Sequence, residues 1–206
     1  MIEKGAKLCQ RLTELVDLIH EDWCVNSRDW TMPGFRALAV HRFGTWLTDR
    51  SGGIMRWGLM KLYLVMYRYI RNHYGIEIPL TVKVGRRLHL VHQSGIIFHW
   101  KAEIGDDCVV RQNVTLGAGY SDKTINNGPK IGNHVQVGVG VVIFAGINIG
   151  DGAFIGPNAV VMSNIPAGAR VFVDPPRMLH GRFGTKGDVN EDGGRDRVRQ
   201  DPVVGR

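Results

Sequence analysis

From Lys83 onward the chain can be written in sixes. It reads KVGRRL, HLVHQS and GIIFHW, a two-residue slip, EIGDDC, VVRQNV and TLGAGY, and after an interruption KIGNHV, QVGVGV, VIFAGI, NIGDGA, FIGPNA and VVMSNI. An aliphatic residue holds the second place of all twelve hexads: Val84, Leu90, Ile96, Ile104, Val110, Leu116, Ile131, Val137, Ile143, Ile149, Ile155 and Val161. A period of six is neither the 3.6 of a helix nor the alternation of a hairpin, and it marks a parallel β-helix. Each hexad is then one short strand and a corner, three hexads close a triangular coil, and the second-place side chains stack inside. Twelve hexads predict about four coils, spaced by roughly 4.8 Å. The 27 glycines among 206 residues, about twice the usual share, fit such tight corners.

Other features narrow the class. Cys9, Cys24 and Cys108 are odd in number and share no metal-type spacing, so neither a disulfide framework nor a metal site is expected, and a cytoplasmic setting fits. The first twenty residues lack the apolar stretch of a signal peptide, and no run of apolar residues is long enough to span a bilayer. The net charge of +7 is concentrated: Arg42 to Arg87 holds nine Lys or Arg against Asp49 and Glu77. No nucleic-acid recognition motif accompanies these cations, so nucleic acid is not an expected partner.

Two helical patterns precede the repeats. Leu8, Leu12, Leu15 and Ile19 recur at helical spacing. The segment IMRWGLMKLYLVMYRYIRNHY is amphipathic, with Val65, Tyr69, Leu62, Met66, Leu59, Ile70 and Tyr63 on one side and Arg56, Lys61, Arg68 and Arg71 clustered opposite. Such a face packs on a neighbour or lies on a membrane surface, which leaves open a peripheral contact at the inner membrane face. The tail from His180 is polar, Gly-rich and of mixed charge, and is expected to be disordered. The expected organisation is a helical N-terminal segment over 1–75, a β-helix over 76–179 and the tail over 180–206.

The repeats, the segment HQSGIIFH, the run RQNVTLGAG and the closing VDPPRML resemble the hexapeptide acyltransferases. The similarity is greatest to serine acetyltransferases and their relatives in bacterial surface-polysaccharide clusters. GFRALAVHRFGTWL looks like the helical segment that precedes the β-helix in that group. The resemblance implies a mainly β fold, a left-handed parallel β-helix with an α-helical N-terminal segment. It also implies a homotrimer, with a dimer of trimers as the larger assembly, and acetyl-CoA in a groove between adjacent subunits.

By the same resemblance the catalytic histidine falls on His92 and its acidic partner on Glu77. A histidine is unprotonated near neutral pH and can take the proton of an attacking hydroxyl, while a carboxylate on its other nitrogen fixes the tautomer. TLGAG is the stretch to search for oxyanion donors. The pantetheine groove is expected along Gly117 and Ala118, Gly138 and Val139, and Gly156 and Pro157. Lys130 and Arg177 are the candidates for CoA phosphates, His99 is a candidate for the acceptor site, and the loop Ser121 to Pro129 is expected to form part of its wall.

The departures bear on the acceptor. Serine acetyltransferases hold their amino acid with an Asp directly before the catalytic histidine and an Arg-His pair before Pro-Lys-Ile. Here those positions are Val91, Asn127 and Gly128. Losing charge-assisted contacts worth about 1.5–3 kcal/mol each makes free serine a poor acceptor and favours a sugar hydroxyl in surface-polysaccharide synthesis. A serine O-acetyltransferase with an altered site and a non-catalytic hexapeptide scaffold are the alternatives.

Overall fold

The structure, a computed structural model, describes residues 2–48, 53–119 and 127–175. Met1–Asp174 form one compact unit and Pro175–Arg206 another, of which Pro175 alone is described. Arg177, the tail from His180 and residues 121–126 of the expected wall loop lie outside the described residues.

Among the described residues, fourteen strands of two or three residues pair in parallel on three faces. The first face carries β1 (Ile76–Glu77), β4 (Ile96–Phe98), β7 (Thr115–Gly117), β10 (Val142–Phe144) and β13 (Val160–Val161). The second carries β2 (Lys83–Val84), β5 (Glu103–Ile104), β8 (Lys130–Ile131) and β11 (Asn148–Ile149), and Ile165 bridges to Ile149 below it. The third carries β3 (His89–Val91), β6 (Val109–Arg111), β9 (Gln136–Val137), β12 (Phe154–Ile155) and β14 (Arg170–Val171). Each expected hexad supplies one strand, giving four coils and part of a fifth.

The second-place aliphatics form the core, all buried except the half-buried Val84. Sixth-place residues form a second interior column: Leu88, Cys108, Val114, Val135, Val141, Ile147, Ala153 and Ala159. The period began one hexad earlier than expected, at EIPLTV, where Ile78 and Val82 are buried.

The slip is also elsewhere. Strand register pairs Ile97 with Thr115 and Phe98 with Leu116, so Phe98 holds the second place in its coil and Ile96, paired with Ile76, belongs to the sixth-place column. Val91 pairs with Arg111. The chain therefore takes six residues from Val91 to Ile97 where the coil below takes four, from Arg111 to Thr115. The two extra residues sit in the corner that holds His92, and Lys101–Ala102 continue the period. Hydrophobic spacing alone left the position of the insertion undetermined, because Ile96 and Phe98 are both apolar and both buried.

The corners follow from backbone sterics. Where the second face turns into the third, Arg87, Asp107, His134, Gly152 and Gly168 all take positive φ, the region open to Gly and favoured by Asn and Asp. Along that edge side chains bond the turns above them. Asp106 Oδ1 accepts from Arg86 N–H at 2.7 Å, Asn133 Oδ1 from Asp106 N–H at 2.8 Å, and Asp151 Oδ1 from Asn133 N–H at 2.7 Å.

Among the described residues the helices α1 (Ile2–Val25), α2 (Pro33–Thr48) and α3 (Ile54–Tyr69) precede the coils, and a π-helical turn, Ile70–Tyr74, leads from α3 into β1. The helices satisfy the edge strands of the first coil. Asn26 donates to Leu88 O at 3.0 Å and accepts from Leu90 N–H at 3.2 Å. Arg42 donates to Val84 O at 2.6 Å and to Gly85 O, and its guanidinium pairs with the buried Asp22 at 2.9 Å. An otherwise open sheet edge is thus covered.

Only half of the expected apolar side of α3 meets the protein. Tyr63 and Ile70 are buried and Leu59 and Met66 half-buried, while Leu62, Val65 and Tyr69 are exposed.

Candidate active site

His92 occupies the corner where the third face turns into the first. The turns on this edge stack directly: Ser94 N–H donates to Tyr74 O at 2.8 Å, Asn113 N–H to Ser94 O at 2.9 Å, and Asn158 N–H to Val139 O at 2.8 Å. In the regular coils one residue per corner takes positive φ, as at Asn113, Gly140 and Asn158. In the widened corner His92, Ser94 and Gly95 all do, with φ of 65, 81 and 66°. Gly95 is required by space as well, because a Cβ there would strike Asn113 Oδ1 and come within 3.0 Å of Asn113 Cα. The His92 side chain is exposed to solvent.

Glu77 flanks the same corner from the coil above. It leads outward from β1, paired with Ile97, directly after the Tyr74–Gly75 turn that stacks on Ser94–Gly95. Its carboxylate lies near Tyr67 of α3, whose phenol is pushed up by burial and further by the Glu77 charge. Among the described residues no hydrogen bond joins Glu77 to His92. His89, three residues back at the start of β3, is half-buried, and burial, Arg111 and His92 together hold its pKa down.

Arg111 went unnoticed in the sequence. It pairs in register with Val91, immediately before His92, and its exposed guanidinium acts on His89. Its place beneath Val91 follows from the hexad count, since Val91 and Arg111 are third in hexads three apart.

The expected cofactor residues fall on two edges. Gly138, Val139, Gly156 and Pro157 lie on the His92 edge. Gly138 and Gly156 are buried against the next coil, where a Cβ would sit 2.8 Å from Ile155 O and Val171 O, so coil stacking already demands glycine there. Gly117 and Ala118 lie where the first face turns into the second, and Gly117 packs under the Phe144 ring. His99 is on that second edge too, its Nδ1 accepting from Lys101 N–H at 3.3 Å. One whole face of the prism separates the two groups.

Lys130 projects from the second face. Its ammonium stands 3.6 Å from Glu103 Oε1, which Lys83 also approaches at 3.3 Å. These residues, with Lys101, Thr81, Asn127 and Asn148, line a groove of about 590 Å³. Three lysines against one carboxylate give it a positive balance. Gly128 borders the groove and cannot carry a side chain without backbone movement, because its Cβ would lie on the Lys101–Ala102 peptide. Cys108 is a core residue whose thiol burial pushes up to about 11, which makes it a poor nucleophile.

No family model matches the chain. It is 36% identical over 137 residues to a serine acetyltransferase of Helicobacter pylori, covering 66% of this chain and 75% of the relative. The chain belongs to the serine acetyltransferase-like family of hexapeptide-repeat acetyltransferases. Another member, the putative colanic acid biosynthesis acetyltransferase WcaB of Escherichia coli, is 34% identical over 116 residues, 56% of this chain and 70% of WcaB. The serine acetyltransferase of Synechococcus elongatus is 30% identical over 156 residues, 76% of this chain, which spans 60% of that relative's length. The crystal structure of the Neisseria gonorrhoeae serine acetyltransferase in complex with serine superposes with a TM-score of 0.65 at 25% identity, covering 82% of this chain and 72% of that one. The family's fold, the left-handed parallel β-helix, is the fold of this chain.

Proposed function

We propose that the protein transfers the acetyl group of acetyl-CoA to a hydroxyl of a sugar used in surface-polysaccharide synthesis, with His92 as general base. The observation that carries this reading is the widened corner, which leaves His92 exposed and stacks on the Tyr74–Gly75 turn that leads into Glu77. The acceptor hydroxyl gives its proton to His92 as its oxygen attacks the thioester carbonyl. Collapse of the tetrahedral adduct breaks the C–S bond, and the imidazolium returns the proton to the departing CoA sulfur. Such a base is worth about 10²–10⁴-fold in rate. Glu77, brought to the free ring nitrogen when the site fills, holds the tautomer and stabilises the imidazolium.

The charge around the corner argues against a free amino acid. Val91 supplies no carboxylate for an ammonium group, its register neighbour is the cation Arg111, and Gly128 leaves no room for a histidine. A sugar hydroxyl needs none of these contacts, and the likeness to WcaB points the same way. The serine reading retains the support of the relatives' names.

A homotrimer is part of the proposal. His92 and the glycine-rich TLGAG run stand on different edges, so a partner's second edge must meet the His92 edge before base, oxyanion donors and CoA share one groove. The exposed Ile97, Val160 and Met162 give the first face an apolar surface for that contact. Lys130 and its neighbouring lysines suit the CoA phosphates.

The test is CoA release from acetyl-CoA with nucleotide sugars and glycan fragments and, separately, with free serine, beside a His92→Ala control. Turnover with sugars that vanishes in the control is expected. Turnover with serine alone that vanishes in the same control would overturn the acceptor assignment, and turnover unaffected by His92→Ala would overturn the mechanism.

A further inference from the structure

Helix α3 carries an apolar strip that is largely exposed; within it Tyr69 stacks on His73 at 4.3 Å and meets Tyr74 edge-on. Ile54, Met55, Leu62, Val65 and Tyr69 are 89, 66, 50, 65 and 47% exposed. At the helical angle they fall within an arc of roughly 100°, away from Tyr63 and Ile70, which anchor the helix to the protein. Lys61 and Arg68 line one margin of the strip, beside the exposed Trp57, whose ring lies 5.5 Å from the Lys61 ammonium. From Ile54 to Tyr74 the sequence holds four Lys or Arg and no Asp or Glu.

An exposed apolar surface of this kind marks a contact, and its charge says with what. Two copies of the strip meeting about a two-fold axis would set Lys61 and Arg68 against their own counterparts, with no carboxylate on the helix to answer them. A bilayer of anionic lipid answers both features at once. The aliphatic side chains enter the acyl boundary, the aromatic rings sit at headgroup depth and the cations reach the phosphates. No described helix is long and apolar enough to cross a membrane, so the contact is a surface one.

We infer that α3 docks the protein on an anionic phospholipid surface through Ile54, Leu62, Val65 and Tyr69, with Lys61 and Arg68 as its charge contacts. This docking is independent of acetyl transfer and is read by binding alone. The full-length protein is sedimented with vesicles of pure phosphatidylcholine and of phosphatidylcholine mixed with phosphatidylglycerol. Binding to the mixed vesicles alone is expected, falling as salt is raised. A Lys61→Gln, Arg68→Gln double variant is expected to bind roughly fivefold more weakly for each cation removed. Val65→Glu is expected to stay in the supernatant while keeping the cooperative thermal unfolding of the parent; should it misfold, the double variant decides. The inference fails if the parent protein ignores anionic vesicles at low salt, or if both variants bind as the parent does. It fails equally if, without vesicles, Val65→Glu sediments as a smaller assembly than the parent, which would assign the strip to a second copy of the chain.

Discussion

The corner at His92 and the one directly beneath it, at Asn113, share one edge of the prism and differ by two residues. The lower corner is the regular one: a single positive φ, a backbone bond to the turn above, and the same four-residue spacing as the coils below. The upper corner spends two additional residues, takes three positive φ values and leaves an imidazole in solvent. A solenoid that repeats without interruption offers every corner the same geometry. The candidate site arises where that repetition is broken, and the broken corner rests on a regular one that holds it in place.

The sharpest way to separate the two corners is to truncate each. His92→Ala should lower kcat by about 10²–10⁴-fold and leave thermal stability within about 0.5 kcal/mol, as for an exposed side chain. Asn113→Ala should show the reverse pattern, little change in kcat at saturating substrate and a lower melting temperature, because asparagine is the residue after glycine that best accepts positive φ and its side chain packs under Gly95. Equal loss of activity in both would mean that the site depends on the whole edge.

The same contrast between repetition and exception holds for the helical cap. Coil interiors are apolar, whereas the cap grips the first coil through the buried Arg42–Asp22 pair and the edge carbonyls Val84 O and Gly85 O. Arg42→Ala strands a buried carboxylate and two carbonyls and should cost about 3–5 kcal/mol, measurable by urea unfolding.

His41, beside that pair, makes the cap sensitive to acid. Burial, with the Arg42 charge second, pushes its pKa down to about 4. The unfolded chain then binds a proton near pH 6.5 that the folded chain refuses. Stability is complete above that pH and falls as the pH drops toward 4, by on the order of 3 kcal/mol. His89, lowered by burial and Arg111, adds in the same direction. Asp22, whose carboxyl burial raises, has the opposite sign, and Glu21 and Asp107, lowered by their arginines, lose their contribution only in the carboxylate range below. Urea midpoints at pH 7.5 and 5 should therefore differ more in the parent than in His41→Leu; an equal difference would locate the acid sensitivity elsewhere.

At the small end stands the exposed Lys83–Glu103–Lys130 ladder. Lys83→Gln should change stability by no more than about 1 kcal/mol. A weaker apparent affinity for acetyl-CoA in that variant would tie the second-face groove to the phosphates.

Much of the coil was legible in advance because each hexad meets the same surroundings, and one rule, an aliphatic at the second place, suffices for every turn. The hexads from Glu103 to Ala159 sit as the spacing predicts. At the start and at the insertion the rule gives too little: the hexads as written begin at Lys83, one after EIPLTV, and the spacing puts the slip at Lys101–Ala102 instead of beside His92.

The sequence by itself determined the period of six and the buried aliphatic columns, because those depend on spacing alone, and its resemblance to the hexapeptide acyltransferases supplied His92 and Glu77 as candidate groups. Only the tertiary structure decided where the insertion lies and which half of the α3 apolar side stays uncovered. Each of these is fixed by register and packing between segments distant in the chain, and an apolar residue carries no mark of which neighbour, or whether any, will cover it.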